Sequence, residues 1–162
     1  MIQSVCPMRF IIQDFRAIPV DRTPFLTFHN LEAAEGVYRF YKEVVEKDRG
    51  YEPEKEHVVV LALNSRKRLM GWHLVSTGGF SEAACHPREV LRPIIVRAAP
   101  SFILCHNHPS GDPSPSRADE AVTRRIREAS DIFQIDLVDH VIVGRPLLGR
   151  SPYYSFQETG AL

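Results

Sequence analysis

His106-Asn107-His108 and Asp119 are the residues of this chain whose types and spacing could do chemistry together. Side chains alternate along an extended strand, so positions 106 and 108 point the same way with Cα atoms ~6.5–7 Å apart. Two imidazoles at that separation can converge on one ion. Asn107 and Cys105 point to the other face, so Cys105 is not read as a ligand. Seven residues, Pro109 to Pro115, separate His108 from Ser116, with three prolines to stiffen the loop and Gly111 to allow a sharp turn. Ser116 is placed to cap the helix that follows, and Asp119 falls in its first turn. The helix dipole there favours the ionised carboxylate that a metal ligand must be. Two His and one Asp leave a fourth position for water, the arrangement of catalytic rather than structural zinc. Each fragment also has a plainer reading. Ser-x-x-Asp is a capping box, and His-x-His is a loop pair; together, around a Pro-Gly loop, they point to metal. Asp112 and Glu120 are the rival carboxylates.

Strands and helices must position these side chains. Met8 to Ile12 reads as a strand and Arg16 to Asn30 as a loop with Pro19 and Pro24. Asn30 would cap a helix from Leu31 to about Arg49, where Leu31, Ala34, Val37, Tyr38, Tyr41, Val44 and Val45 recur at helical spacing. Residues 57–63 form a near-continuous β-branched run, the mark of a strand buried on both faces. Asn64 to Lys67 supplies a turn, and Arg68 to Thr77 returns as a second strand, ended by Gly78-Gly79. Pro87 opens a helix to about Ala99. A strand over 101–106, a helix over 116–133 and strands over 135–143 and 153–156 complete the alternation. The pattern predicts a three-layer α/β sandwich around a mixed sheet, with helices 31–49 and 87–99 on opposite faces. Residues 1–50 read as a strand and helix packed onto a main domain at 51–162.

Composition narrows the function classes. A chain of 162 residues buries roughly 70% of its unfolded surface, so it needs no disulfide framework. Cys6, Cys85 and Cys105 are odd in number and widely spaced, which suits reduced thiols and a cytoplasmic location. Twenty basic and twenty acidic residues balance, so no global charge steers the protein to nucleic acid or an anionic membrane. No apolar run approaches the ~18 residues of a spanning helix. Met1 to Asp14 has no small-residue cleavage site, so a signal peptide is not expected.

The spacing His106-x-His108-x7-Ser116-x2-Asp119 matches the JAMM (MPN+) metallopeptidase motif. Around it, His86-Pro87-Arg88-Glu89-Val90, the run from His106 to Pro113 and Asp139-His140-Val141-Ile142-Val143-Gly144 resemble the bacterial RadC family of that superfamily. The resemblance covers about residues 55–156. It implies a cytidine-deaminase-like α/β fold and one zinc ion per chain held by His106, His108 and Asp119. It also implies that Ser116 hydrogen-bonds the tetrahedral intermediate and that an upstream Glu is the general acid/base. That Glu belongs at the start of the domain's first strand, which points to Glu56, with Glu54 and Glu52 as neighbours. Long RadC proteins carry a glycine-rich helix-hairpin-helix segment for DNA contact. Residues 1–50 hold only Gly36 and Gly50 and no such hairpin, so tight nucleic-acid binding is not expected.

The resulting expectation is a zinc metallopeptidase or isopeptidase acting on a peptide or protein conjugate. The alternatives are a DNA-repair or phosphodiester-processing role and a non-catalytic MPN interaction module. An HNH nuclease is excluded because its signature residues are dispersed over a ββα element. A zinc deaminase is excluded because no Pro-Cys-x-x-Cys follows. Asp139 and His140 read first as a charged strand end and a half-buried histidine, and second as partners orienting the metal ligands. Arg117, Arg124, Arg125 and Arg127, interspersed with Glu120 and Glu128, read as a solvated helix face. His29, His57, His73 and His86 read as structural.

Overall fold

Every residue from His57 to Leu63 is buried, and the strand they form divides its apolar side chains between two cores. Val59, Leu61 and Leu63 face one way and Val58, Val60 and Ala62 the other, as strict alternation requires. The computed structural model describes residues 10–13, 16–19, 31, 33–78 and 85–162. Strand β3 (Glu56–Leu63) sits in a five-stranded sheet with β4 (Leu69–Gly78), β5 (Ser101–Asn107), β6 (Asp136–Val143) and β7 (Tyr153–Ser155), in the order β4-β3-β5-β6-β7. Neighbours pair antiparallel except β5 and β6, which are parallel and joined across one face by helix α3 (Arg117–Ile132). Parallel neighbours need such a crossover.

Helix α1 (Ala34–Phe40) and the turn after it pack on one face; α2 (Pro87–Val96) and α3 pack on the other. The result is an α/β/α sandwich around a mixed sheet, with α1 and α2 on opposite faces. Each fully buried Leu, Ile or Val of β3 and β5 contributes about 1.5–3 kcal/mol. The centre of the sheet is therefore the most firmly held part of the molecule, and the groups at its strand ends inherit that rigidity. Among the described residues no helix is long and apolar enough to cross a membrane.

Among the described residues the structure departs from the predicted elements in two places. Arg16–Pro19 is not loop but strand β2, paired with β1 (Phe10–Gln13) from Phe10↔Pro19 to Gln13↔Arg16. Pro19 ends the strand of a two-stranded ribbon, a position where its missing N–H breaks no central ladder. The other departure is in the first helix. It starts at Ala34 after an extended Ala33 with no side-chain cap, and at Tyr41 it widens into a π-helical turn through Val45, closed by Glu46 N donating to Tyr41 O at 3.0 Å. Asn30, the predicted cap, and Met8 lie outside the described residues.

Candidate metal centre

Strand β5 carries His106 at its end, fully buried on the same face as Phe102 and Leu104. The strand stops at Asn107, and His108 is held just beyond it by its own N–H to Val143 O at 2.9 Å. The next loop is tied down throughout. Gly111, at φ +86°, donates to His108 O at 2.9 Å, and its carbonyl accepts from Arg145 N at 2.8 Å. Gly144 passes so close that a Cβ there would lie 2.5 Å from Gly111 O, so both positions need glycine. The Asp112 carbonyl takes the Nδ1 proton of His108 at 2.7 Å, which turns His108 Nε2 toward the cluster.

Ser116 caps α3 in a full capping box: its hydroxyl accepts from Asp119 N at 3.2 Å, and Ser116 N donates to Asp119 Oδ2 at 2.6 Å. Capping and metal holding are compatible here, because a carboxylate has lone pairs for both. Burial pushes the Asp119 carboxyl up, but the nearby imidazoles of His106 and His108 and the contact with Ser116 outweigh it and hold the group well below the usual carboxylate range.

Ligand atoms of His106, His108 and Asp119 lie within 4.8 Å of one another, the one such group among the described residues. The two Nε2 atoms are 3.1 Å apart, His106 Nε2 is 3.2 Å from Asp119 Oδ1, and His108 Nε2 is 3.5 Å from Asp119 Oδ2. A tetrahedral ion with bonds of about 2.0–2.1 Å spaces its donors about 3.3 Å apart, close to the His106–His108 and His106–Asp119 separations, while His108 approaches the other Asp119 oxygen. The donor set fits a divalent ion. Neither rival carboxylate joins it: Asp112 and Glu120 are exposed. Cys105 lies on the opposite face, its thiol pushed well up by burial.

Behind His106 runs a buried chain. His106 Nδ1 is 2.9 Å from His140 Nε2, His140 Nδ1 is 2.6 Å from Thr123 Oγ1, and Thr123 donates its hydrogen to Asp119 O at 2.6 Å. With that hydrogen committed, His140 Nδ1 must donate to Thr123. A neutral His140 then has a bare Nε2 that accepts from His106 Nδ1–H, leaving the His106 Nε2 lone pair facing the cluster. Burial keeps His140 well below its ordinary pKa and lowers His106 too, against the pull of Asp119. His108 is less buried: burial lowers it, but Asp119 and the Asp112 carbonyl outweigh this and leave it raised.

A model of the RadC-like JAB domain matches residues 31–161. The chain belongs to the RadC-like JAB domain family. It is 42% identical to a UPF0758 protein of Pelodictyon phaeoclathratiforme over 75% of this chain and 53% of that relative. It is 42% identical to one of Chlorobium phaeovibrioides over 84% of this chain and 56% of the relative, and 37% identical to one of Thermotoga maritima over 82% and 54%. The chain spans about half the length of the curated relatives it matches.

Within this RadC-like domain, Glu56 is the first residue of β3. Two positions on, Val58 pairs with His106, so alternation puts Glu56 on the face of the cluster, and its negative charge bears on both imidazoles. Glu52 and Glu54 are exposed before the strand begins, Glu52 paired with Lys55. His140 is fully buried rather than half-buried, and of its two readings the orienting one matches its bond to His106. Asp139 is buried as well but faces away, accepting from Ser155 Oγ at 2.6 Å and Gln157 N at 3.0 Å. Arg117, Arg124 and Arg127 are exposed on α3 and Arg125 half-buried. His86 caps α2 through Nδ1, His57 is buried against Glu52, and His29 lies outside the described residues. Thr123 was not among the predicted site residues. Its signal was there, four residues after Asp119 and so one helical turn above it on the same face.

Proposed function

We propose that this RadC-like domain is a zinc-dependent hydrolase that cleaves amide bonds in a peptide or protein conjugate, with the isopeptide bond of a Lys-linked conjugate included. The observation that carries the reading is that ligand atoms of His106, His108 and Asp119 lie within 4.8 Å of one another, on the face where β3 begins with Glu56. A zinc ion held there supplies a Lewis acid and acidifies water toward neutral pH. The surroundings suit the protein's own part in this: burial keeps His106 neutral, and the neighbours of Asp119 keep it ionised against burial, the states that metal ligands require. Glu56 takes the proton of the attacking water and passes it to the leaving amine, and as a carboxylate on a half-buried strand start it can do both. The Ser116 oxygen is used as an acceptor by the helix cap, which leaves its O–H to donate to the oxyanion that forms. Cys85 and Cys105, buried free thiols, suit a reducing, cytoplasmic setting.

The test is turnover of a Lys-linked conjugate and of an unstructured peptide by zinc-loaded protein. Glu56→Gln should keep zinc and fold while losing about 10²–10⁴-fold in kcat. Ser116→Ala should lose roughly 10²–10³-fold. Full kcat in Glu56→Gln removes Glu56 from the mechanism, and an inactive wild type on both substrates removes amide hydrolysis.

A further inference from the structure

Asn107 stands between the two imidazoles in sequence but faces away from them, and its side chain does something a backbone strand would otherwise do. The pairing of β3 with β5 ends at Val58↔His106. Past that point the Asn107 amide takes over: Oδ1 accepts from His57 N at 2.8 Å, and Nδ2 donates to Lys55 O at 3.1 Å. These two peptide groups flank Glu56 on either side. The amide's orientation is unambiguous, because a backbone N–H can only donate and a carbonyl can only accept. A third bond locks it, from the Tyr41 hydroxyl to Asn107 Oδ1 at 2.7 Å; the same hydroxyl lies 3.2 Å from His57 O. Tyr41 is fully buried, Asn107 is 4% exposed and His57 is 1% exposed, so water does not compete for these bonds. Hydrogen bonds in such surroundings hold geometry tightly. Tyr41 is also where the first helix widens into its π-helical turn, a distortion that often marks functional positions.

We propose that Asn107 is a positioning residue: its side-chain amide, oriented by Tyr41, clamps the backbone on both sides of Glu56 and sets the carboxylate's place relative to the His106–His108 pair. This rests on the reading of Glu56 as the acid/base. The clamp makes one residue serve both halves of the centre, since the backbone of Asn107 spaces the two imidazoles while its side chain holds the strand that carries the proton-handling group. It also gives the segment before β3 a part in the site, through Tyr41.

The test uses the full chain loaded with zinc, with Asn107→Ala and Tyr41→Phe made alone and in the Glu56→Gln background. Zinc per chain, kcat and KM on a Lys-linked conjugate, and the 13C resonance of the Glu56 carboxyl are read. Asn107→Ala should keep zinc and change KM little, move the Glu56 resonance, and lower kcat on the order of 10²-fold, the cost of a displacement of about 1 Å. Tyr41→Phe, which keeps the ring's packing and removes one orienting bond, should lower kcat about 2- to 10-fold; it carries the test if Asn107→Ala does not fold. Neither should lower residual activity further in the Glu56→Gln background. The proposal is overturned by an unmoved Glu56 resonance with wild-type kcat, by loss of zinc in step with kcat, or by an equal loss in the Glu56→Gln background. If Glu56→Gln itself keeps full kcat, the acid/base reading fails and takes the clamp's purpose with it. That pattern differs from an inactive Glu56→Gln beside an undiminished Asn107→Ala, which sinks the clamp alone.

Discussion

His140 stands 2.9 Å behind His106, Nε2 to Nδ1, and its own Nδ1 is fixed by Thr123 at 2.6 Å. Two groups in series thus decide which nitrogen of His106 faces the cluster, and the second closes back on the Asp119 carbonyl.

Breaking the series should weaken metal binding without touching a ligand. Thr123→Val conserves volume and removes the hydroxyl, so His140 loses the acceptor that sets its tautomer. The expected outcome is about a 10–100-fold loss in zinc affinity, read by competition with a chromophoric chelator. Wild-type affinity in Thr123→Val and in His140→Ala would show that the chain does not orient His106.

Metal content offers a second check. The purified domain should hold close to one zinc per chain by elemental analysis. His106→Ala, His108→Ala and Asp119→Ala should each lose it, whereas Cys105→Ser, on the opposite face of β5, should not. Asp119→Ala should also destabilise the ion-free protein by ~1 kcal/mol, because half the capping box goes with it.

Acid sensitivity follows from the buried imidazoles. His106 and His140 both have folded-state pKa values below their ordinary 6.5. Below pH 6.5 the unfolded chain therefore binds protons that the folded chain refuses, and stability falls as pH falls. With two such rings the slope of the ion-free protein cannot exceed two protons, about 2.7 kcal/mol per pH unit. His108, being raised, acts in the opposite sense only between 6.5 and its own higher value. Urea unfolding midpoints of chelator-treated protein from pH 7.5 downward would reveal this. A flat profile below 6.5 would mean that neither ring is held neutral.

Close approach at Gly144 predicts a strong position effect. A Cβ there meets the Gly111 carbonyl and Pro113, with backbone on both sides and no flexible side chain to move. Gly144→Ala should cost about 1–3 kcal/mol and weaken zinc binding by shifting the loop that holds His108. Gly149→Ala, at φ +79° with nothing within 4 Å, should cost about 1–2 kcal/mol of backbone strain and leave zinc binding alone. Equal zinc affinities for both variants would break the link between the loop contact and the centre.

How much could be read beforehand depended on how local each feature is. The grouping of His106, His108 and Asp119 was legible because His-x-His, the proline-stiffened loop and the Ser-x-x-Asp cap all fall within one strand–loop–helix passage. The buried strands were legible because alternation needs only neighbours. Strand β2 was not, since Pro19 reads as a loop signal until its place at the end of a two-stranded ribbon is known. The π-helical turn at Tyr41 leaves no mark on the apolar spacing. Alternation put the Asn107 side chain on the far face, but what it meets there lies 50 residues away at His57, and only the folded chain reveals it. His140 had two readings that differ solely in what packs against it.

The two halves of the centre also differ in contact order. His106 and Asp119 are thirteen positions apart along a stiff passage, whereas Glu56 is fifty positions from His106. Closing the longer loop costs about 1 kcal/mol more in chain entropy, and it requires the antiparallel docking of β3 on β5 as well. During refolding, the half made of His106, His108 and Asp119 can thus assemble from a β5–α3 unit ahead of the half that carries Glu56. Such a species would capture zinc while still unable to turn over substrate, so ion uptake should run ahead of recovered activity in time.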